Sequence, residues 1–228
     1  MGKAKKKFRK TIGFYIAELA VVFIGITAGF MLNNWRQDID KKELEQKYLF
    51  SFYKDVQLDN AELDSLISIN QEKNKKLISI IKATEVAGKP LTEKHAEQIV
   101  TELLYTQWST IVDDTFEDII NSGNFNLISN FKLKEKISSY YTFMEDLRSI
   151  EQYYKDHMNT YGYPFLYKNY HLLNRKFINK KSITSLEFTN MYLAITALIQ
   201  QNIHSYKIAL NKNIELQEEI KLALQLIK

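Results

Sequence analysis

The chain has 228 residues, 45% of them hydrophobic and 25% charged, with a formal charge of +4 and no cysteine. That length holds an anchor and one domain, the composition is that of a folded chain, and the absence of thiols excludes disulfides and thiolate chemistry while leaving the redox compartment open. The charge is unevenly placed: Met1–Lys10 carries six of the 31 basic side chains and no acidic one, so the remainder, with 25 basic against 27 acidic, is near neutral and lacks the basic stripe of a nucleic-acid binder.

Residues 1–10 therefore read as a basic tail standing directly before Thr11–Leu32, the only run apolar for long enough to cross a bilayer, which takes roughly 20 mostly apolar residues. By the positive-inside rule the tail is expected in the cytoplasm, residues 11–35 as a transmembrane helix in the plasma (inner) membrane, and residues 36–228 as an extracytoplasmic helical domain. The run exceeds the apolar core of a typical signal peptide, and the myristoylation pattern lacks its sixth-position Ser or Thr, so neither a cleaved leader nor a lipid anchor is expected. Asn33, Asn34 and Trp35 close the span as an interface anchor at headgroup level.

Within the span Glu18, Val22, Gly25 and Gly29 fall on one stripe, because steps of 7 and 11 residues return nearly to the start at 100° per residue. Gly25 and Gly29 have the small-xxx-small spacing that lets two backbones approach. A charged carboxylate near the bilayer centre costs about 2.5–3.5 kcal/mol on insertion scales, so Glu18 is expected to face protein or water, in the seam or pore of a homo-oligomer. The alternative is a Glu18 that bonds within its own helix or snorkels to the headgroups.

From Arg36 to about Thr84 no breaker occurs, and Leu44, Tyr48, Phe52, Val56, Leu63, Leu66, Leu77 and Ile81 recur at three-to-four-residue spacing or its multiples, which predicts one long amphipathic helix continuing the anchor. Ala87–Leu91 is a turn, and Thr92 caps a second helix reaching Tyr105. Asp114 to Glu117 has the spacing of a capping box for a short helix to Ser122, with Gly123 as its left-handed stop. A further helix is expected from about Ser129 to Thr160, a break at Gly162–Pro164, an irregular or short helical stretch over 165–181, and a last helix from a second capping box at Thr184–Glu187 to the end. The fold class is therefore all-α: a transmembrane helix followed by an extended bundle of long antiparallel helices, with 36–84 and 185–228 packed along each other because neither can bury its apolar face alone.

Two blocks carry a resemblance. The segment Phe14–Ile26 followed by Asn33, Asn34 and Trp35 is similar to the amino-terminal signature of a family of uncharacterised bacterial single-pass membrane proteins, in which it reads approximately Ile-Gly-Glu, Val-Val-Ile-Gly-Ile and Asn-Asn-Trp. Thr115–Gly123 through Leu127–Asn130 is similar to the family's second recurring block. Ala17 stands where the family has the glycine before the glutamate, and after Tyr154 the pattern loosens. The resemblance implies membrane residence and importance for Glu18, Gly25, Asn33, Asn34, Trp35 and Gly123; it brings no activity with it.

No catalytic constellation stands out. His95, His157, His171 and His204 are scattered without HExxH spacing, and there is no P-loop, dinucleotide fingerprint or GxSxG. Arg148 and His157 are too far apart for a HEPN-type ribonuclease pair. The acids at Asp113, Asp114, Glu117 and Asp118 suit a helix start better than a metal. The sequence thus reads as a non-enzyme with no catalytic residue, metal or cofactor. Aromatic density after Tyr140 reads as core, with a ligand pocket around Tyr140, Tyr153, Tyr154 and Tyr163 as the competing reading. Partners expected are the lipid bilayer, further copies of the chain and a protein partner of the helical domain, with no nucleic acid. Two functions follow from different classes: a non-enzymatic oligomeric sensor or scaffold, or an oligomeric ion or proton channel or membrane-perturbing effector that uses Glu18.

Overall fold

The computed structural model describes residues 2–226 in their backbone and 18–226 in their side chains. The basic tail of residues 1–10 and the side chains of 11–17 therefore lie outside the described side chains. The first helix, α1, runs without interruption from Gly2 to Ile81 and closes in a π turn at Lys82–Val86. Its 80 residues would extend ~120 Å at ~1.5 Å per residue. The apolar amino-terminal segment and the first helix of the body are one rod, since no Gly or Pro falls between Gly29 and Gly88.

After the turn at Gly88, α2 covers Glu93–Leu104, α3 Asp114–Asn121, α4 Phe131–His157, α5 Tyr163–Asn169 and α6 Leu186–Leu226. A two-residue ladder, β1 (Tyr170–His171) against β2 (Lys176–Phe177), is the only sheet among the described residues. The all-α architecture and the pairing of the two long helices are as the sequence predicts. Contacts from Tyr192 to Glu85, Asn213 to Asn60 and Gln217 to Val56 show α6 running antiparallel to α1. It is antiparallel to α4 as well, through Tyr206 to Glu151, Lys212 to Ser139 and Lys132 to Glu219.

Consequently α4 runs parallel to α1, and the chain must travel back along α1 between them. Two apolar cores result. The one nearer the span joins Leu49, Phe52, Leu63, Ile137, Tyr141, Leu216 and their neighbours; the far one joins Leu77, Ile99, Leu103, Tyr154, Phe165, Phe188 and Tyr192. Residues 36–43 are exposed, so about two turns of bare helix separate the span from the body.

Three local expectations are corrected. Asp114 lies inside α3, preceded by Asp113, and no side chain caps the helix; Asp113 instead pairs with Arg148 at 2.6 Å. The last helix is capped by Ser185, whose Oγ accepts the N–H of Phe188, rather than by Thr184. Gly162–Pro164 does not break the chain. A π turn at Met158–Gly162 leads directly into α5, because Pro164 stands in the first turn, where its missing N–H costs nothing. A Cβ at Gly162 would meet the Met158 side chain, its Sδ at 2.6 Å, so that flexible chain would have to shift to admit one. Gly123 is left-handed (φ 71°) as expected, and Thr92 Oγ1 accepts the N–H of His95.

Candidate functional site

One helix among those described is long and apolar enough to cross a membrane, and none of its apolar window is buried by the rest of the chain. Leu19, Phe23, Phe30 and Trp35 are each about two-thirds or more exposed, and Asn33 and Asn34 are exposed beside Trp35. On the stripe Glu18, Val22, Gly25 and Gly29, a Cβ placed at either glycine would meet nothing within 4 Å. That face is vacant within one chain.

The body holds a second constellation, which follows from the return path. An extended segment advances ~3.3–3.6 Å per residue against ~1.5 Å for a helix, so the few residues from Thr106 to Val112 keep pace with α1 from Lys73 to Asp59. Extended backbone has no internal partner for its N–H groups, and buried N–H groups need one. Here acids supply it. Ser109 N–H donates to Glu151 (2.9 Å), Thr110 N–H to Glu62 (2.5 Å), Val112 N–H to Asp59 (3.0 Å) and, after α3, Ser129 N–H to Glu45 (2.6 Å). Tyr48 continues the series by donating to Asp118 and accepting from Asn124.

At the middle of this ladder Asp59, 1% exposed, also accepts the hydroxyl of Tyr140 at 2.8 Å. Tyr140 in turn accepts from Asn213, which donates to the Val56 carbonyl and accepts from Asn60 and Gln217. Three long helices and the return segment thus meet in one polar knot. Burial pushes the Asp59 carboxyl up to about 6, the bonds from Val112 and Tyr140 opposing and the charges of Glu62 and Asp55 adding to it. Burial, with the negative charge of Asp59, raises Tyr140 far above the ordinary phenol range.

Farther out, Lys73 is buried and its ammonium is lowered to about 8 by desolvation, with Glu102 opposing. It donates to Thr106, which donates to Tyr154, whose hydroxyl bonds the Leu103 carbonyl. A cleft of about 280 Å³ lies here, lined by Leu103, Trp108, Tyr154, Lys155, Met158 and Tyr163 among others. Of the four tyrosines proposed for a pocket, Tyr154 and Tyr163 share this cleft. Tyr140 sits in the polar knot three to four turns away along α4, and Tyr153 is exposed on the opposite side of that helix from Tyr140's core. A second cleft of about 270 Å³ lies between α3 and α4, lined by Phe116, Glu117, Tyr141, Glu145 and the Asp113–Arg148 pair. No group of three or more His, Asp or Glu side chains placed to hold a metal occurs among the described residues.

Asp59, Lys73, Glu151 and Asn213 are absent from the sequence reading. The available signal was their register: Asp59, Asn70 and Lys73 fill the gaps of the apolar stripe Phe52, Val56, Leu63, Leu66, Leu77. Comparison of the chain with protein-family models, with curated proteins and with solved structures gives no match.

Proposed function

We propose that the protein is a single-pass membrane protein of the plasma membrane that acts as a non-enzymatic, oligomeric sensor or scaffold, with its helical body outside the cytoplasm. The observation that carries this reading is the continuity of α1: span and body are one helix, so a partner that shifts the packing of α4 or α6 against α1 acts on the membrane segment without an intervening hinge. The resemblance of the span and of the Thr115–Asn130 region to uncharacterised bacterial single-pass proteins supports the same placement. The basic tail supports a cytoplasmic amino terminus.

Orientation has a direct test, because the chain lacks cysteine and Ser65 is exposed on α1. Ser65→Cys in intact cells is expected to react with a membrane-impermeant maleimide. Labelling only after lysis would reverse the topology.

Assembly through the vacant stripe is the other element of the proposal. Gly25→Leu combined with Gly29→Leu is expected to shift native mass spectra toward monomer, since two added side chains hold the backbones apart. An unchanged distribution would remove the seam. Glu18 on the same stripe is the specific feature that favours a channel as the second reading. Planar-bilayer recording separates the two functions: oligomers without conductance support the scaffold, whereas a conductance altered by Glu18→Gln transfers the function to the pore.

A further inference from the structure

At the end of the bundle farthest from the span, α5 leads into the β1–β2 hairpin, and a 3₁₀ turn at Lys180–Thr184 leads back into α6. From Arg36 to the end of α1 at Ile81 is ~70 Å of helix, and the hairpin lies beyond most of it, its Phe177 packed with Phe188 at the start of α6. Tyr170 and Phe177 point into the far core, 4% exposed each, and anchor the ladder. Their neighbours point the other way. Leu173 at the turn is 87% exposed, Tyr167 70%, Ile178 67% and Leu172 47%.

The same stretch is basic. Residues 167–181 carry Lys168, Arg175, Lys176, Lys180 and Lys181 and no acid. Lys180 is held by Glu93 at 2.9 Å; the other four form no ion pair among the described residues, and all four are exposed. Four large apolar side chains are thus exposed around the turn beside four cations that form no ion pair among the described residues, with Glu97 of α2 an acid that acts, like Arg175, on Tyr170.

We propose that this hairpin is a docking surface for an anionic lipid bilayer, so that the chain, anchored in one membrane by α1, reaches a second lipid surface with its far end. Convex apolar side chains flanked by Lys and Arg suit the headgroup layer, where the former enter the acyl boundary and the latter meet the lipid charge. Neither of the clefts described above, where a helix or an extended peptide could lie, is lined by these residues. A second copy is disfavoured by charge, because tip-to-tip contact would face four unpaired cations with four more. Exposed Tyr167 adds a ring of the type enriched at membrane interfaces.

The test uses the full chain in nanodiscs of neutral phosphatidylcholine, mixed with vesicles of phosphatidylcholine alone or with phosphatidylglycerol added, and read by flotation. The discs are expected to float with the phosphatidylglycerol vesicles and not with the neutral ones, and to be released by salt. Lys176→Glu with Lys181→Glu, and separately Leu173→Ser with Ile178→Ser, should each weaken binding about ten-fold or more. All four positions are exposed, and an unchanged far-UV circular dichroism spectrum verifies the variants. The basic tail of residues 1–10 is identical in every sample, so flotation that survives both double substitutions assigns binding to the tail and overturns the proposal. Equal flotation with neutral vesicles overturns it too. Disc-to-disc association lost in the variants would make a second copy the occupant, and capture by soluble polyglutamate insensitive to Leu173→Ser would make it an acidic chain; either result overturns the lipid surface. The inference rests on α1 as anchor: failure to enter the discs would sink the anchor, whereas entry without vesicle binding sinks only the hairpin.

Discussion

Asn213→Leu is expected to destabilise the protein by about 2–4 kcal/mol, seen as a fall of roughly 5–15 °C in the apparent melting midpoint of the full chain in detergent. Asn213 is fully buried and uses both ends of its amide: Nδ2 donates to the Val56 carbonyl and to Tyr140, and Oδ1 accepts from Asn60 and Gln217. Leucine fills similar space and removes all four bonds. Gln217 retains its bond to Val56, and it and Asn60 are partly exposed, but buried Tyr140 loses the donor to its oxygen with no replacement. The asymmetry between never having a buried polar pair and deleting one half of it makes this substitution costly. Asn211→Leu, about half a turn away and exposed, should lie within about 0.5 kcal/mol of wild type. Equal midpoints for the two variants would show that the knot at Asn213 holds nothing together.

The same residue shows where sequence reading stops. Leu44, Phe52, Val56, Leu63, Leu66 and Leu77 announce a buried helix face by spacing alone, and the long helices, their breaks at Gly88 and Gly123 and the cap at Thr92 follow from local chemistry. Asp59, Asn70 and Lys73 stand on that face in register, yet a polar residue on an apolar stripe reads equally as a gap. Whether it is buried depends on partners that arrive from far along the chain: Val112 and Tyr140 for Asp59, Thr106 for Lys73. The return of residues 105–130 along α1 was illegible for the same reason. Nothing local marks Ser109 or Thr110 as extended, and their conformation is fixed by carboxylates on α1 and α4. At Gly162 the local rule favoured a break, but Pro164 falls in the first turn of α5 and the chain runs on through a π turn.

This arrangement gives the acids of α1 a definite structural task. A parallel α1–α4 pair needs a crossover, and among the described residues the crossover is closed over the bundle by backbone N–H groups bonded to Glu62, Asp59 and Glu45. Charge-assisted bonds of this kind are stronger than neutral ones, but their acceptors are titratable. At Asp59, whose carboxyl burial pushes up to about 6, the fastening of the return segment depends on protonation.

Acidification should therefore stabilise wild type relative to Asp59→Asn. The groups facing Asp59 are Asp55 and Glu62 on α1, Tyr140 and Tyr141 on α4 and the N–H of Val112 on the return segment, with Asn213 of α6 behind Tyr140; no cation is among its charge partners. With burial dominant, its folded value near 6 lies above the ordinary 3.8, so the folded state holds the proton more tightly than the unfolded chain. Stability from this group is fully present below the unfolded value and is lost as pH rises through about 6. The whole span corresponds to about 3 kcal/mol, of which on the order of 1.4 kcal/mol lies between about pH 7.5 and 5. Asp55, also raised by burial, adds in the same direction and is common to both proteins. Asparagine retains an oxygen for the Val112 N–H but cannot titrate, and its amide nitrogen faces a Tyr140 oxygen that already accepts from Asn213. Melting midpoints measured in parallel across that pH range should diverge by a few degrees, wild type gaining on the variant toward acid. Parallel curves would mean that the Asp59 carboxylate is as well solvated in the folded chain as in the unfolded one.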